Sequence, residues 1–261
     1  MIVILGGGPA GRIASIRLAS AGKEVTLVES GGIGGQCLHF GCMPVCALTD
    51  AARIIDSARS FQKLGIVDSI PEINFPRLLT EMHAVQQTIA SVLYTETRTA
   101  GVNIVYGKTG RIEGDRVFIG DAPVEAEAVI AATGSRPNIP DIEGITLPGV
   151  HTPHTVWEMK NLPKKLVIIG GSVMAAEFAW IFSRFGSEVT ILSRSGFLKT
   201  LDRHLRNLAF RELTGVGIQE DAHITSIRGS SRVMAVDFDA KGETILRSGY
   251  GADRCRASSP F

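Results

Sequence analysis

Short runs of branched apolar residues alternate with helical stretches along most of this 261-residue chain. Ile2-Val3-Ile4-Leu5, Val25-Thr26-Leu27-Val28, Ala128-Val129-Ile130-Ala131-Ala132, Leu166-Val167-Ile168-Ile169 and Val189-Thr190-Ile191-Leu192 are too continuous for strands with one wet face. They predict strands buried on both faces of parallel sheets. A helical pattern through Ala21 joins the first two. Another helix is predicted to begin near Pro44, since proline suits a first helical turn, and to continue through Arg53, Ile54 and Ile55. Residues 78–98 carry Leu79, Met82, Val85, Ile89 and Val92 at helical spacing, a stripe predicted to face the core. Residues 102–105, 110–112, 117–119, 234–238 and 244–246 read as short strands. This alternation predicts an α/β fold.

Two glycine turns punctuate the pattern. The first, Gly6-Gly7-Gly8-Pro9-Ala10-Gly11, lies between a strand and a helix, and Glu29 ends the next strand eighteen residues beyond Gly11. Together these features make a dinucleotide fingerprint, which either half alone would not. Gly6 serves the tight turn, Gly8 lets a pyrophosphate approach the backbone, and Gly11 lets the helix sit close to the sheet with its N-terminus facing the phosphates. Glu29 is placed to accept from a ribose hydroxyl pair. The second turn, Gly170-Gly171-Ser172-Val173-Met174-Ala175, has serine and alanine at the second and third glycine positions. The strand after it ends at Arg194, nineteen residues beyond Ala175. An arginine there takes a 2′-phosphate where an acid would take free hydroxyls, which favours NADPH over NADH.

Composition narrows the class. With 44% hydrophobic and 20% charged residues the chain is globular, and a net charge of +1 offers no reason to expect nucleic acid or an acidic membrane as partner. No apolar run reaches the roughly 18 residues of a membrane span, and the apolar start lacks the basic flank of a signal peptide. The chain reads as cytosolic. Four cysteines do not make a disulfide scaffold. Two of them stand in Gly35-Gln36-Cys37-Leu38-His39-Phe40-Gly41-Cys42-Met43-Pro44, and in a reducing compartment such a pair is redox-active or metal-binding more often than structural. Cys42 at a helix N-terminus would have its thiolate favoured by the helix dipole. Competing readings are an inert buried pair, or a metal set drawn from Cys37, Cys42, Cys46 and His39. The spacing fits neither the zinc nor the ferredoxin pattern, and no metal is expected. His151 and His154 lie in a proline-rich loop without further ligands.

The cysteine segment resembles the redox segment of the FAD-dependent pyridine nucleotide-disulfide oxidoreductases, a family that includes dihydrolipoamide dehydrogenase, glutathione reductase and mercuric reductase. The Ala-Thr-Gly-Ser-Arg-Pro stretch at Thr133 and Gly134 is similar to the motif that closes the first FAD half. The resemblance covers nearly all of residues 1–246. It implies two Rossmann-like domains with parallel sheets: an FAD-binding domain at 1–147, incomplete without its return segment, and an NAD(P)-binding domain at 148–246. It implies hydride transfer from NAD(P)H to FAD, Cys42 as the flavin-facing thiol and Cys37 as the interchange thiol toward a small-molecule or lipoyl-type disulfide. Family members are homodimers. The family's lysine four residues past the second cysteine is Cys46 here, and Glu177 stands where that lysine's glutamate partner belongs.

Residues 247–261 keep neither strand nor helix period. Codons exist for them that, read one base later, spell a buried strand and an Ala-Gly-Arg turn, so the tail is expected to be a frameshift product. The C-terminal dimerisation domain is expected to be absent, and with it the partner histidine that serves the interchange thiol. A catalytically impaired nucleotide-binding remnant of the family is the alternative reading.

Overall fold

The computed structural model describes residues 1–240 and the backbone of 243–248. Most of the tail expected at 247–261 lies outside the described residues. The chain forms two compact units, one from Met1–Ala47 with Arg77–Pro137, the other from Leu48–Pro76 with the described residues from Asn138 onward.

Elements follow in the order β1 (Ile2–Leu5), α1 (Pro9–Ser20), β2 (Val25–Glu29), α2 (Gly35–His39), α3 (Cys42–Lys63), α4 (Phe75–Thr99) and β3 (Asn103–Tyr106). Then come β4 (Gly110–Glu113), β5 (Arg116–Ile119), β6 (Ala122–Val124) and β7 (Ala128–Ala131). In the first unit, β3-β2-β1-β7 form a parallel sheet, with Ile2 opposite Val25 on one side and Ala128 on the other. β1 is central and wholly buried because its two faces meet different neighbours. Ile2 and Ile4 join Val25, Leu27 and Val102 against Leu18, Leu93 and Tyr94 of the helices. Val3 and Leu5 join Val28, Val117 and Ile119 of the β4-β5-β6 meander. Burying each such side chain contributes roughly 2 kcal/mol, which explains why the continuous apolar run was legible as a two-sided strand.

The stripe expected on α4 is divided. Leu79 and Met82 are buried, but Val85 and Val92 are about half exposed. The buried line passes instead through Gln86 and Thr97, two polar residues with backbone partners to serve. Pro76 occupies the first turn of α4, where its missing N–H is harmless. The α3 helix begins at Cys42, earlier than Pro44. The helical passage Gly35–Lys63 reaches a mean hydropathy of 1.2, enough by length and composition to cross a membrane, although only 28% of that window is buried. No such run was expected from the sequence. The stretch is divided at Phe40 and Gly41 into α2 and α3.

The second unit contains β8 (Lys165–Ile169), α5 (Val173–Phe185), β9 (Glu188–Ser193), α6 (Arg203–Glu212), β10 (Gly217–Glu220), β11 (Ala222–Arg228), β12 (Ala235–Ala240) and β13 (Glu243–Ser248). Strands β10-β9-β8 form a parallel sheet, and β11-β12-β13 an antiparallel one. Phe75, Phe178, Phe182 and Phe185 make edge and tilted ring contacts, and Trp157 packs on Phe178. The units part at Pro137 and Asn138, ahead of the expected boundary at 147/148. Ile142, Ile145, Leu147 and Val150 pack against Leu192, Ile227 and Phe238, which ties the segment to the second unit.

That tie has a close contact at its centre. Gly144 has φ of +81° and a Cβ there would overlap the Ile227 carbonyl, whose own N–H donates to Glu143 O at 2.8 Å. Gly144→Ala is expected to lower unfolding stability by at least about 2 kcal/mol, through the left-handed conformation and the overlap together. Gly114→Ala, with φ of +60° and open space around it, should cost only about 1 kcal/mol. Urea unfolding of both variants checks the contrast; equal losses would contradict it.

Candidate active site

The first glycine turn is built by close approach. A Cβ at Gly6 (φ +105°) would overlap the Ala132 carbonyl oxygen, and one at Gly11 would overlap the Gly6 carbonyl oxygen. These contacts bring the start of α1 against the ends of β1 and β7. Gly8 is the N-cap of α1 and no side chain caps that helix, so its first N–H groups are left for an acceptor from outside the chain. Glu29, 8% exposed, holds the turn: its carboxylate accepts from Gly7 N–H at 2.5 Å and Gly31 N–H at 2.6 Å. A carboxylate has about four lone-pair sites, so capacity remains for hydroxyls.

The cysteine segment is laid directly on this turn. Gly34 N–H donates to Gly7 O at 2.9 Å, and a Cβ at Gly35 would stand 2.7 Å from the Gly8 Cα. Gly34 and Gly35 have φ of +98° and +55°, so glycine is required for shape as well as space. The short α2 follows, and its end is secured by Gln86, whose amide donates to Leu38 O at 2.8 Å and His39 O at 3.2 Å. Leaving those carbonyls bare would cost about 1–3 kcal/mol. His39 is engaged with Ile33 O at 3.1 Å.

Cys37 lies on α2 half-buried, and Cys42 opens α3 with an exposed side chain. Both thiols are free. A hydrogen bond with the Cys42 thiol, then burial, then the charge of Cys42 and of Cys46 hold the Cys37 pKa above the ordinary thiol value. Cys46 is exposed one helical turn further on. Thr133 and Gly134 are exposed just past β7, and Ser135 Oγ donates to Gln36 Oε1 at 3.3 Å. Gly6, Gly8, Gly11, Glu29, Cys37, Cys42 and the Thr133–Gly134 turn therefore converge in the first unit.

The second unit collects Gly170, Ser172, Ala175, Glu177 and Arg194 around β8, α5 and β9. Gly170 has φ of +130° and Ala175 is buried at the start of α5. Ser172 is the N-cap, and its hydroxyl accepts from Ala175 N–H at 3.4 Å, a long bond. Glu177 and Arg194 are exposed. Beyond Arg194 the chain returns over the turn, and Leu198 N–H donates to Gly171 O at 2.7 Å. His151, noted in the loop, is bound to Thr155 O at 2.9 Å.

Two nucleotide-type turns, with a thiol pair packed on the first, define a class of flavin-dependent thiol enzyme. The chain matches the pyridine nucleotide-disulphide oxidoreductase family over residues 1–254. It is 31% identical to dihydrolipoyl dehydrogenase of Acholeplasma laidlawii, over 97% of this chain and 82% of that one. It is 30% identical to dihydrolipoyl dehydrogenase of Staphylococcus aureus, over 92% and 53%. Mercuric reductase of Lysinibacillus sphaericus is 25% identical over 92% and 45%. Among solved structures, the HOCl-induced flavoprotein disulfide reductase RclA of Escherichia coli, as its Cu(II) complex, superposes with a TM-score of 0.77 at 25% identity, covering 94% of this chain and 54% of that one. The chain spans about half the length of most of these relatives. It belongs to the pyridine nucleotide-disulfide oxidoreductases, oxidoreductases that act on disulfides and use FAD.

Sequence reasoning missed Gln86, Gln36 and the short α2. Gln86 breaks an apolar stripe, and a buried amide at helical spacing was the signal available for it.

Replacing Cys42 by alanine removes the largest cause of the raised Cys37 pKa while keeping the Cys42 backbone N–H. A lower pKa means more thiolate at fixed pH below it, so iodoacetamide at pH 8 should alkylate Cys37 faster in Cys42→Ala than in the wild type. Peptide mapping of Cys37 reads the rate; an unchanged or slower rate would contradict the coupling.

Proposed function

We propose that this chain is an FAD-dependent NAD(P)H:disulfide oxidoreductase of the dihydrolipoamide dehydrogenase type, with NADPH preferred. Flavin binding is assigned to the first unit and NAD(P) binding to the second, so that residues 138–147 go with the NAD(P)-binding part and not with the flavin part expected at 1–147. The observation that supports the reading most is the packing of the Gly34–Gly35 backbone on the Gly7–Gly8 turn, beside the uncapped start of α1 and two residues ahead of Cys37.

The residues present fit FAD. Gly8 and the uncapped start of α1 suit its pyrophosphate, and Glu29 suits a ribose. When bound, FAD carries an electron pair from NAD(P)H to the cysteine disulfide. The chain's own residues do the rest. Cys37, as thiolate, attacks one sulfur of the substrate disulfide and expels the other as thiolate, which takes up a proton. Cys42 then attacks the Cys37 sulfur of the mixed disulfide, closing Cys37–Cys42 and releasing the second substrate thiol. In the second unit, Gly170 and Ala175 give the nucleotide its turn and Arg194 binds the 2′-phosphate. The substrate is a small-molecule or lipoyl-type disulfide, and the reducing cytoplasm is the compartment that suits free thiols.

A nucleotide-binding remnant is the second reading. Ser172 favours it, because its hydroxyl already takes the Ala175 N–H that would otherwise face a phosphate. One experiment separates the two. Purified with added FAD, the enzyme is expected to be yellow, to bleach faster with NADPH than with NADH, and to show a long-wavelength band on partial reduction. A colourless protein supports the remnant, and equal rates with both nucleotides would sink the NADPH preference.

A further inference from the structure

We propose that Arg206 and Glu220 are positioning residues for the 2′-substituent of the second nucleotide, acting through the loop that carries Arg194. The inference rests on the reading of Arg194 as the 2′-phosphate partner.

Glu220 is the last residue of β10 and stands opposite Ser193, the last of β9, in parallel register. Its carboxylate is therefore beside the point where the chain leaves the sheet at Arg194. There it accepts from Phe197 N–H at 2.6 Å and pairs with the Arg206 guanidinium. Arg206 in turn donates through Nε to Phe197 O at 2.7 Å. Both backbone polar groups of Phe197 are thus held by one ion pair. The Phe197 ring is fully buried and meets the Phe210 ring edge-on at 5.4 Å, and the Arg206 guanidinium lies 5.5 Å over that same ring. The next residue, Leu198, is 2% exposed and has φ of +52°, a left-handed conformation that a leucine keeps only when its surroundings impose it. Asp202 closes the loop by capping α6, accepting from His204 and Leu205 N–H.

The clamp matters for charge as well as shape. A Cβ at Gly196 would stand 3.4 Å from Glu220 Oε1, so this carboxylate lies against the loop two residues from Arg194. Unpaired, it would repel a phosphate and compete for the Arg194 guanidinium. Paired with Arg206, it anchors the loop without opposing an anionic ligand. Glu220 is the acceptor that shapes the loop, and Arg206 is the countercharge that keeps the loop hospitable to phosphate.

Calorimetric titration of the full chain with 2′,5′-ADP and with 5′-ADP tests this. The wild type should prefer 2′,5′-ADP, and Arg194→Met should abolish the preference. Arg206→Met is expected to weaken 2′,5′-ADP binding about tenfold while changing 5′-ADP binding less than about twofold, because it frees an opposing carboxylate and loosens the loop. Glu220→Gln should weaken it less, since its amide oxygen still accepts from Phe197 and no opposing charge is left. A wild-type preference that survives Arg206→Met, or a variant that loses both ligands equally, overturns the clamp. A wild type that binds both ligands equally overturns the Arg194 reading on which the clamp rests.

Discussion

The first unit depends on two stretches of backbone meeting without side chains between them. Gly34 donates to Gly7, and Gly35 sits so close to Gly8 that a single methyl group would fill the gap. Because both stretches lead directly into functional groups, the contact fixes them together. Gly8 opens α1, which no side chain caps, and Gly35 opens α2, which carries Cys37. Cys37 therefore follows within two residues of a main-chain contact. Gln86 completes the arrangement from α4 by satisfying the two carbonyls at the end of α2.

Electrostatics separates the two units more than topology does. In the first, a buried carboxylate, Glu29, is spent on two glycine N–H groups and stiffens the turn from behind. The start of α1 is left without a side-chain cap. In the second, Ser172 partly occupies the corresponding helix start, and the acid at the end of the neighbouring strand, Glu220, is neutralised by Arg206. The same strand–turn–helix plan thus holds its strand-end acid by backbone N–H groups in one unit and by an arginine in the other.

Much of this was legible in the residues because it rests on local rules. Continuous branched runs marked β1, β2, β7, β8 and β9, each within a residue or two of its bounds, since two-sided burial leaves no polar position. The glycine fingerprint is local because its spacing encodes a turn, and the fold brings Gly11 against Gly6 and Glu29 against Gly7. What escaped notice depends on partners distant in sequence. Gln86 is buried for the sake of carbonyls 47 and 48 residues away. Val85 and Val92 fit the helical stripe but fall outside the buried face. α6 buries none of its residues outright and has a strongly polar composition, so its apolar periodicity was easily passed over. Arg206 and Glu220 look like ordinary surface charges until β10 pairs with β9 and brings them to Phe197. The segment at 142–150 straddles the boundary expected at 147/148, and only its packing on Ile227 and Phe238 assigns it to the second unit.

The central claim is that the thiol pair and the flavin turn form one electron path. Anaerobic dithionite titration of the FAD-loaded chain, after oxidation to the Cys37–Cys42 disulfide, tests it most directly. The wild type should take up one electron pair more than its flavin content, and Cys37→Ser should take up the flavin's share alone. Uptake matching flavin content in both proteins would show that the thiols lie off the path.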